Sequence, residues 1–293
     1  WSPDSTRLLS ASSDGSLRVW DAATGKPILN MQDHSGLLFF CAWSPDSTCL
    51  LSAGAERSLR VWDTVTGVQL LNIPGLTSWV RSCAWSPDST RLLSASSDGS
   101  LRVWDAATGT PILNIQGHNC EVNFCAWSPD STRLLSAGTD GSLRAWDAAT
   151  GMQLLDIQGH NGAIKSCAWS PDSTRLLSAG TDGSLRVWEA ATGKPLHYLQ
   201  SHSGRVRSCA WSPDSTRLLS AGDDGTLRVW DAATGQLLRI HIQVKNGHAT
   251  WEPTSGRILE AKGEIWRYLA WAVTDAKGKT DLLPLETFGP VLS

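Results

Sequence analysis

Residues 1–42 read WSPDSTRLLSASSDGSLRVWDAATGKPILNMQDHSGLLFFCA, and the stretch returns with few changes from Trp43, Trp85, Trp127, Trp169 and Trp211. Each step is 42 residues, without insertion or deletion until the sixth copy runs out. A fixed period of this size marks a repeat architecture, because one such unit cannot bury its apolar faces alone and neighbours must stack. The 293 residues are therefore expected to form one array, not two independent domains.

Within the unit, four short apolar runs (Arg7–Ala11, 17–20, 27–32 and 37–42) are separated by turn chemistry, the pattern of short antiparallel strands. Ser2-Pro3-Asp4-Ser5 predicts a type I turn, with the proline presetting φ. Asp14-Gly15 and Ala22-Ala23-Thr24-Gly25 predict tight hairpin connections. Leu8 adjoins Leu9 and Val19 adjoins Trp20, so the strands are apolar on both faces and each sheet needs cover on both sides. Small sheets arranged radially, each packed between two neighbours, meet that need and leave few open edges.

Bulk properties remove several function classes. A net charge of −3 and a pI near 6.2 give no general electrostatic case for nucleic acid or acidic lipid. No apolar run approaches the roughly 20 residues of a membrane-spanning helix, and no signal peptide is visible. The chain opens on Trp1 and is expected to be part of a longer protein. Of the seven cysteines, Cys41, Cys83, Cys125, Cys167 and Cys209 are one repeat position seen five times, in an apolar run where Cys acts as a small hydrophobe. Cys49 and Cys120 stand alone. An odd count with one thiol per repeat points to free cysteines in a reducing compartment, the cytoplasm. Metal-ligand spacing such as CxxC is absent.

Trp20-Asp21, Trp62-Asp63, Trp104-Asp105, Trp146-Asp147, Trp188-Glu189 and Trp230-Asp231 close the third strand of successive units, and a His precedes the innermost strand at His34, His118, His160 and His202. These signals, over about residues 1–245, resemble the WD-repeat β-propeller family. The near-identity of the copies is also similar to the propellers of bacterial and fungal STAND-type NTPases. The resemblance implies an all-β, seven-bladed β-propeller of four-stranded antiparallel blades. Residues 1–245 would supply six blades. Residues 246–293 would supply a degenerate seventh blade and tail, with Ala249-Thr250-Trp251-Glu252-Pro253 in place of Cys-Ala-Trp-Ser-Pro, residues 257–261 as its second strand, 265–271 as its third and 281–288 as its outermost. The innermost strand precedes Trp-Ser-Pro, so the first blade would lack it and expose the edge of Arg7–Ala11. Upstream residues, the last residues 289–293 or another chain would fill that gap.

A Ser, a His and an Asp recur in every regular unit and superficially suggest nucleophilic catalysis. The resemblance implies instead a buried tetrad: His118, Ser136, Asp140 and Trp146 in the fourth blade, His160, Ser178, Asp182 and Trp188 in the fifth, and His202, Ser220, Asp224 and Trp230 in the sixth. Such a set satisfies polar groups that would otherwise be buried unpaired. A catalytic triad also needs an oxyanion hole and a pocket, once per domain and not in every blade. No catalytic residue, cofactor or metal is expected, since successive histidines belong to different blades. The set is incomplete in the third blade, where Leu76 replaces His beside Ser94, Asp98 and Trp104. In the second, Glu56 and Arg57 replace Asp-Gly, and the turn is expected to take another shape because a non-glycine at φ > 0 costs about 1 kcal/mol.

The copies can be compared with one another. The loops Ser-Pro-Asp-Ser-Thr and Asp-Ala-Ala-Thr-Gly hardly change, whereas the start of the inner strand changes most. Three residues after the His position come Leu37, Trp79, Glu121, Ala163 and Arg205, and two further on come Phe39, Arg81, Asn123, Lys165 and Arg207. Before the turn acid come Ser13, Ala55, Ser97, Thr139, Thr181 and Asp223. These positions are expected to ring one mouth of the central channel. Phe39, Trp79, Arg81, Glu121, Asn123, Lys165, Arg205, Arg207 and Asp223 are then the candidate contacts, with Trp79 as anchor. The expected function is a non-enzymatic scaffold or sensor binding a protein or peptide, acidic or phosphorylated to suit the basic rim. Nucleic acid is disfavoured because Trp79 and Phe39 alone make a poor stacking platform. The alternatives are an enzyme with its site at the channel mouth, or a structural module assembling through its open first blade.

Overall fold

The computed structural model describes residues 1–293 apart from 33, 201, 245–246, 264–269, 275–279 and 285–293. Each repeat folds as a small antiparallel sheet with strands in chain order. The first blade holds β1 (Arg7–Ala11), β2 (Leu17–Asp21) and β3 (Pro27–Met31), and among the described residues no inner strand pairs with β1. The second holds β4 (Leu38–Trp43), β5 (Cys49–Gly54), β6 (Leu59–Asp63) and β7 (Gln69–Ile73). The third holds β8 (Val80–Trp85), β9 (Arg91–Ser96), β10 (Ser100–Asp105) and β11 (Pro111–Gln116). The fourth runs through β12 (Val122–Trp127), β13 (Arg133–Gly138), β14 (Ser142–Asp147) and β15 (Gln153–Gln158). The fifth comprises β16 (Ile164–Trp169), β17 (Arg175–Gly180), β18 (Ser184–Glu189) and β19 (Pro195–Gln200).

The sixth sheet departs from the expected plan. It begins normally with β20 (Val206–Trp211), β21 (Arg217–Gly222) and β22 (Thr226–Asp231), but β23 (Leu237–Val244) has eight residues and pairs onward with β24 (Gly247–Trp251) and β25 (Ile258–Gly263). The tail therefore widens the sixth blade, and the molecule is a six-bladed propeller instead of the expected seven-bladed one. Chain length explains the difference. From Gln116 at the end of β11 to Val122 at the start of β12, six Cα steps reach about 20 Å, enough to cross a four-stranded sheet roughly 14 Å wide. From Val244 to Gly247 three steps reach at most about 11 Å, so the next strand must lie beside β23. β26 (Ala270–Thr274) and β27 (Thr280–Pro284) form a separate two-stranded ladder. Most of the expected third strand at 265–271, and the last residues 289–293, lie outside the described residues.

The seams between blades form the core. Leu51, Ala53, Leu59, Val61 and Ile73 of the second blade meet Val80, Cys83, Trp85, Leu92 and Trp104 of the third, and the same positions meet at each later seam. Burying one such Leu is worth about 1.5–3 kcal/mol, so every blade depends on its neighbours. An arginine clasps four of the five seams among the described residues: Arg7, Arg91, Arg133 and Arg175 lie 4.5–4.6 Å over Trp43, Trp127, Trp169 and Trp211 of the following blade. Cys49 takes the arginine's place at the seam with Trp85. The series stops at the sixth blade, where Leu219 and Leu227 are 40% and 44% exposed while their counterparts Leu177 and Leu185 are fully buried.

Candidate functional site

The inner strands carry an irregularity at one repeat position. Pairing with the second strand skips between Leu38 and Phe40, Val80 and Ser82, Val122 and Phe124, Ile164 and Ser166, and Val206 and Ser208. Phe39, Arg81, Asn123, Lys165 and Arg207 are therefore bulge residues, left out of the ladder with their side chains re-aimed. They are also a set of positions at which the repeats differ most. The residue two places earlier is tied to the same spot by its carbonyl: Leu37, Trp79, Glu121, Ala163 and Arg205 accept from the N–H groups of Ala55, Ser97, Thr139, Thr181 and Asp223 at 2.8–2.9 Å. All three variable positions of a blade thus meet at one end of its sheet.

Neighbouring blades join these ends into a rim. Phe39 and Trp79 stand with ring centroids 6.0 Å apart, and the Arg81 guanidinium lies 5.4 Å from the first ring and 5.5 Å from the second. Arg81 donates to Ser97 Oγ at 3.0 Å and forks onto both Glu121 oxygens at 3.0 and 3.1 Å. Asn123 donates to the Ile164 carbonyl at 2.8 Å, and Arg207 forks onto Asp223 at 2.7 and 3.1 Å. Burial, reinforced by Arg207 and Arg81, holds the Lys165 ammonium below its ordinary pKa. Lys165 and the exposed Arg205 make no ion pair among the described residues. Trp79 remains 44% exposed beside the arginine.

The tetrads lie inside the blades. Ser178 Oγ bridges His160 Nε2 at 2.7 Å and Trp188 Nε1 at 2.9 Å, while His160 Nδ1 meets Asp182 at 3.1 Å. His202, Ser220, Asp224 and Trp230 repeat this at 2.8–3.0 Å. In the fourth blade His118 Nε2 lies 2.8 Å from Ser136 Oγ and Trp146 Nε1 lies 2.9 Å from it, with Asp140 more distant at 3.5 Å. Burial lowers the pKa of His118 and His160 despite the adjacent acids. Burial also works against the Asp182 carboxylate, but hydrogen bonds from Ser184 and His160 hold its pKa at about 2.

Two expectations about the irregular blades change. Glu56 completes the second tetrad, reaching His34 Nδ1, while Ser52 Oγ joins His34 at 2.7 Å and Trp62 at 2.8 Å. Its extra methylene spans the gap that Asp spans elsewhere. The turn also keeps its shape: Arg57 adopts φ 59°, and its carbonyl accepts from Leu76 N–H at 3.1 Å as Gly99 accepts from His118 at 3.0 Å. A Cβ on Gly99 would lie 2.1 Å from the His118 carbonyl oxygen, so the chain after Arg57 must take a different path, and Gly75 at φ 81° provides one. In the third blade Leu76 is buried, and Thr77 Oγ1 supplies the bond to Asp98.

Nothing among the described residues assembles a nucleophile, a base and an open pocket together. A cavity of about 510 Å³ against the inner strands is lined by Phe40, Ala84, Phe124 and Trp127 and by the buried Cys83 and Cys125. Burial raises the Cys125 thiol to about 12, leaving it unreactive. All seven cysteines are free. Among the described residues no helix is long and apolar enough to cross a membrane.

Comparison with curated proteins returned no significant match. The crystal structure of the computationally designed Ika8 protein superposes with a TM-score of 0.73 at 24% identity, over 88% of this chain and 84% of that one. At that identity the likeness concerns the fold alone, and 1862 chains of solved structure share significant similarity, so architecture by itself selects no function. The family described as WD domain, G-beta repeat (WD40) matches residues 1–21, 25–63, 67–105, 109–147, 151–189 and 193–231, each match closing on the Trp-Asp or Trp-Glu pair whose tryptophan donates to a serine of the same blade. On those matches and the sheets they form, the chain belongs to the WD40 repeat family.

Proposed function

We propose that this chain is a non-enzymatic binding module that engages a protein or peptide through the bulged rim. Propellers of the WD40 family commonly serve as protein-interaction scaffolds. The observation that carries the proposal is the coincidence of sequence variation with the bulge positions. Phe39, Arg81, Asn123, Lys165 and Arg207 are freed from ladder pairing, and they differ from copy to copy while the Ser-Pro-Asp-Ser-Thr and Asp-Ala-Ala-Thr-Gly loops hardly change. Trp79, Phe39 and Arg81 offer an aromatic and guanidinium surface of the kind that dominates binding hot spots.

Charge on the rim favours an acidic partner, through fewer residues than the sequence suggested. Arg81 and Arg207 are satisfied by Glu121 and Asp223, so Lys165 and Arg205 would meet incoming carboxylates or phosphates. Service as the sensor end of a larger signalling protein is part of the same proposal. The test measures binding of immobilised wild-type, Trp79→Ala and Lys165→Glu proteins to acidic, phosphorylated and neutral peptide arrays, with Val65→Ser on a distant loop as control. Trp79→Ala is expected to weaken binding by at least about 2 kcal/mol, roughly thirtyfold. Identical binding by all four proteins would remove the rim from consideration.

A further inference from the structure

Cys120 occurs once, where the equivalent positions hold Gly36, Ser78, Gly162 and Gly204. Its Sγ, a ring nitrogen of His118 and a carboxylate oxygen of Asp140 all lie within 4.8 Å of one another. The acid in this blade is also the one least engaged by its tetrad. Asp140 Oδ2 stands 3.5 Å from His118 Nδ1, against 3.1 and 3.0 Å in the fifth and sixth blades. Arg144 turns towards Asp156 and the Gly117 carbonyl and stays 3.7 Å from Asp140, whereas Arg186 and Arg228 close on their acids at 3.1 and 3.2 Å. Asn161 and Ser203 N–H donate to Asp182 and Asp224 at 3.1 and 3.3 Å, and among the described residues Asn119 makes no matching bond. The Asp140 side chain is accordingly 29% exposed, against 10% and 8%.

We propose that His118 Nδ1, Cys120 Sγ and Asp140 Oδ2 bind a thiophilic divalent cation of the zinc class. One imidazole, one thiolate and one carboxylate suit zinc, with a fourth position left to water, and the sulfur and nitrogen donors disfavour magnesium and calcium. Ligand atoms on one tetrahedral zinc sit roughly 3.3–3.8 Å apart, so a rotation of the partly exposed Cys120 side chain would close the site. Binding at Nδ1 requires the Nε2–H tautomer, for which Ser136 Oγ is an acceptor at 2.8 Å. Ser142 Oγ donates to Asp140 Oδ1 at 2.7 Å and leaves Oδ2 for the ion. The thiol proton leaves to solvent, and thiolate and carboxylate together balance the 2+ charge.

Histidines of successive repeats stand in different blades, whereas this trio forms within one. The test is titration of the reduced full chain with Co²⁺, following the thiolate-to-cobalt charge-transfer band and its loss on adding Zn²⁺. Wild type is expected to show the band saturating at a single equivalent. Cys120→Ser should abolish it, Asp140→Asn should weaken binding at least about tenfold, and Cys49→Ser should leave it intact. Unchanged melting of the metal-free Cys120→Ser protein shows that its fold survives. No band in wild type, or a band that Cys120→Ser does not change, overturns the proposal.

Discussion

Replacing Ser178 with Ala removes one oxygen that satisfies two buried groups. Ser178 is fully buried, and its Oγ meets His160 Nε2 at 2.7 Å and Trp188 Nε1 at 2.9 Å. An abandoned buried donor or acceptor costs about 1–3 kcal/mol, so the substitution should cost about 2–4 kcal/mol in all. The irregular blades grade the effect. In the third blade Leu76 replaces the histidine, and Ser94 Oγ serves only the Trp104 indole, at 3.0 Å, besides donating weakly to the Arg102 carbonyl. Ser94→Ala should therefore cost about 1–2 kcal/mol. Ser10→Ala in the half-buried first blade, where only Trp20 Nε1 is lost, should cost about 1 kcal/mol or less. For a chain of this size 1 kcal/mol moves Tm by about 2 °C, giving expected losses of about 4–8 °C, about 2–4 °C and about 2 °C or less. Thermal melts rank the three variants, and amide exchange places each loss in its own blade. Equal losses for Ser94→Ala and Ser178→Ala would refute the claim that histidine satisfaction sets the cost.

Two further outcomes follow from the seams and the buried acids. Cys49→Arg restores the missing clasp over Trp85 and should raise stability by about 1 kcal/mol in denaturant titration, while Arg175→Ala should lower it by about as much or more. Stability should also fall on acidification in two stages. Burial depresses the pKa of His160 in the folded state, so the unfolded chain takes up that proton first and stability declines below the ordinary 6.5. Hydrogen bonds outweigh burial at Asp182 and Asp224 and hold them at about 2, so their contribution is complete above the ordinary 3.8 and is lost from about pH 4 towards 2. Melting curves from pH 8 to 3 check both stages, and a Tm that stays level to pH 3 contradicts them.

The 42-residue period made most of the fold legible because each seam uses the same residues, and Leu8 beside Leu9 already required cover on two faces. The tail was not legible by that route. Ala249-Thr250-Trp251 resembles the start of a blade, but what decided its place was the distance from Val244, a property of chain geometry and not of residue type. Asn246-Gly247 is a strong short-range hairpin signal and was available in the sequence, though comparison by period passes over it. At Arg57 the error had another source. A single-residue cost of about 1 kcal/mol says nothing of how the following loop can re-route, and Gly75 lies 18 positions away.

The rim was visible as variation and not as geometry. Nothing in Phe39, Arg81 or Lys165 as residue types announces a bulge, because the register slip belongs to the pairing of two strands. Once the bulge is known, the pattern of variation acquires a cause. Positions in the seams and tetrads are constrained by packing on both sides or by buried polar partners. The bulge position has no ladder partner to satisfy, so it can be Phe, Arg, Asn or Lys without disturbing the sheet. Copies of one unit therefore diverge where divergence costs the fold least, and binding specificity can be written there for the same reason. Tolerance alone would produce the same variation, and only a change in partner affinity at unchanged Tm, measured for Trp79→Ala and Lys165→Glu, separates a selected rim from a merely permissive one.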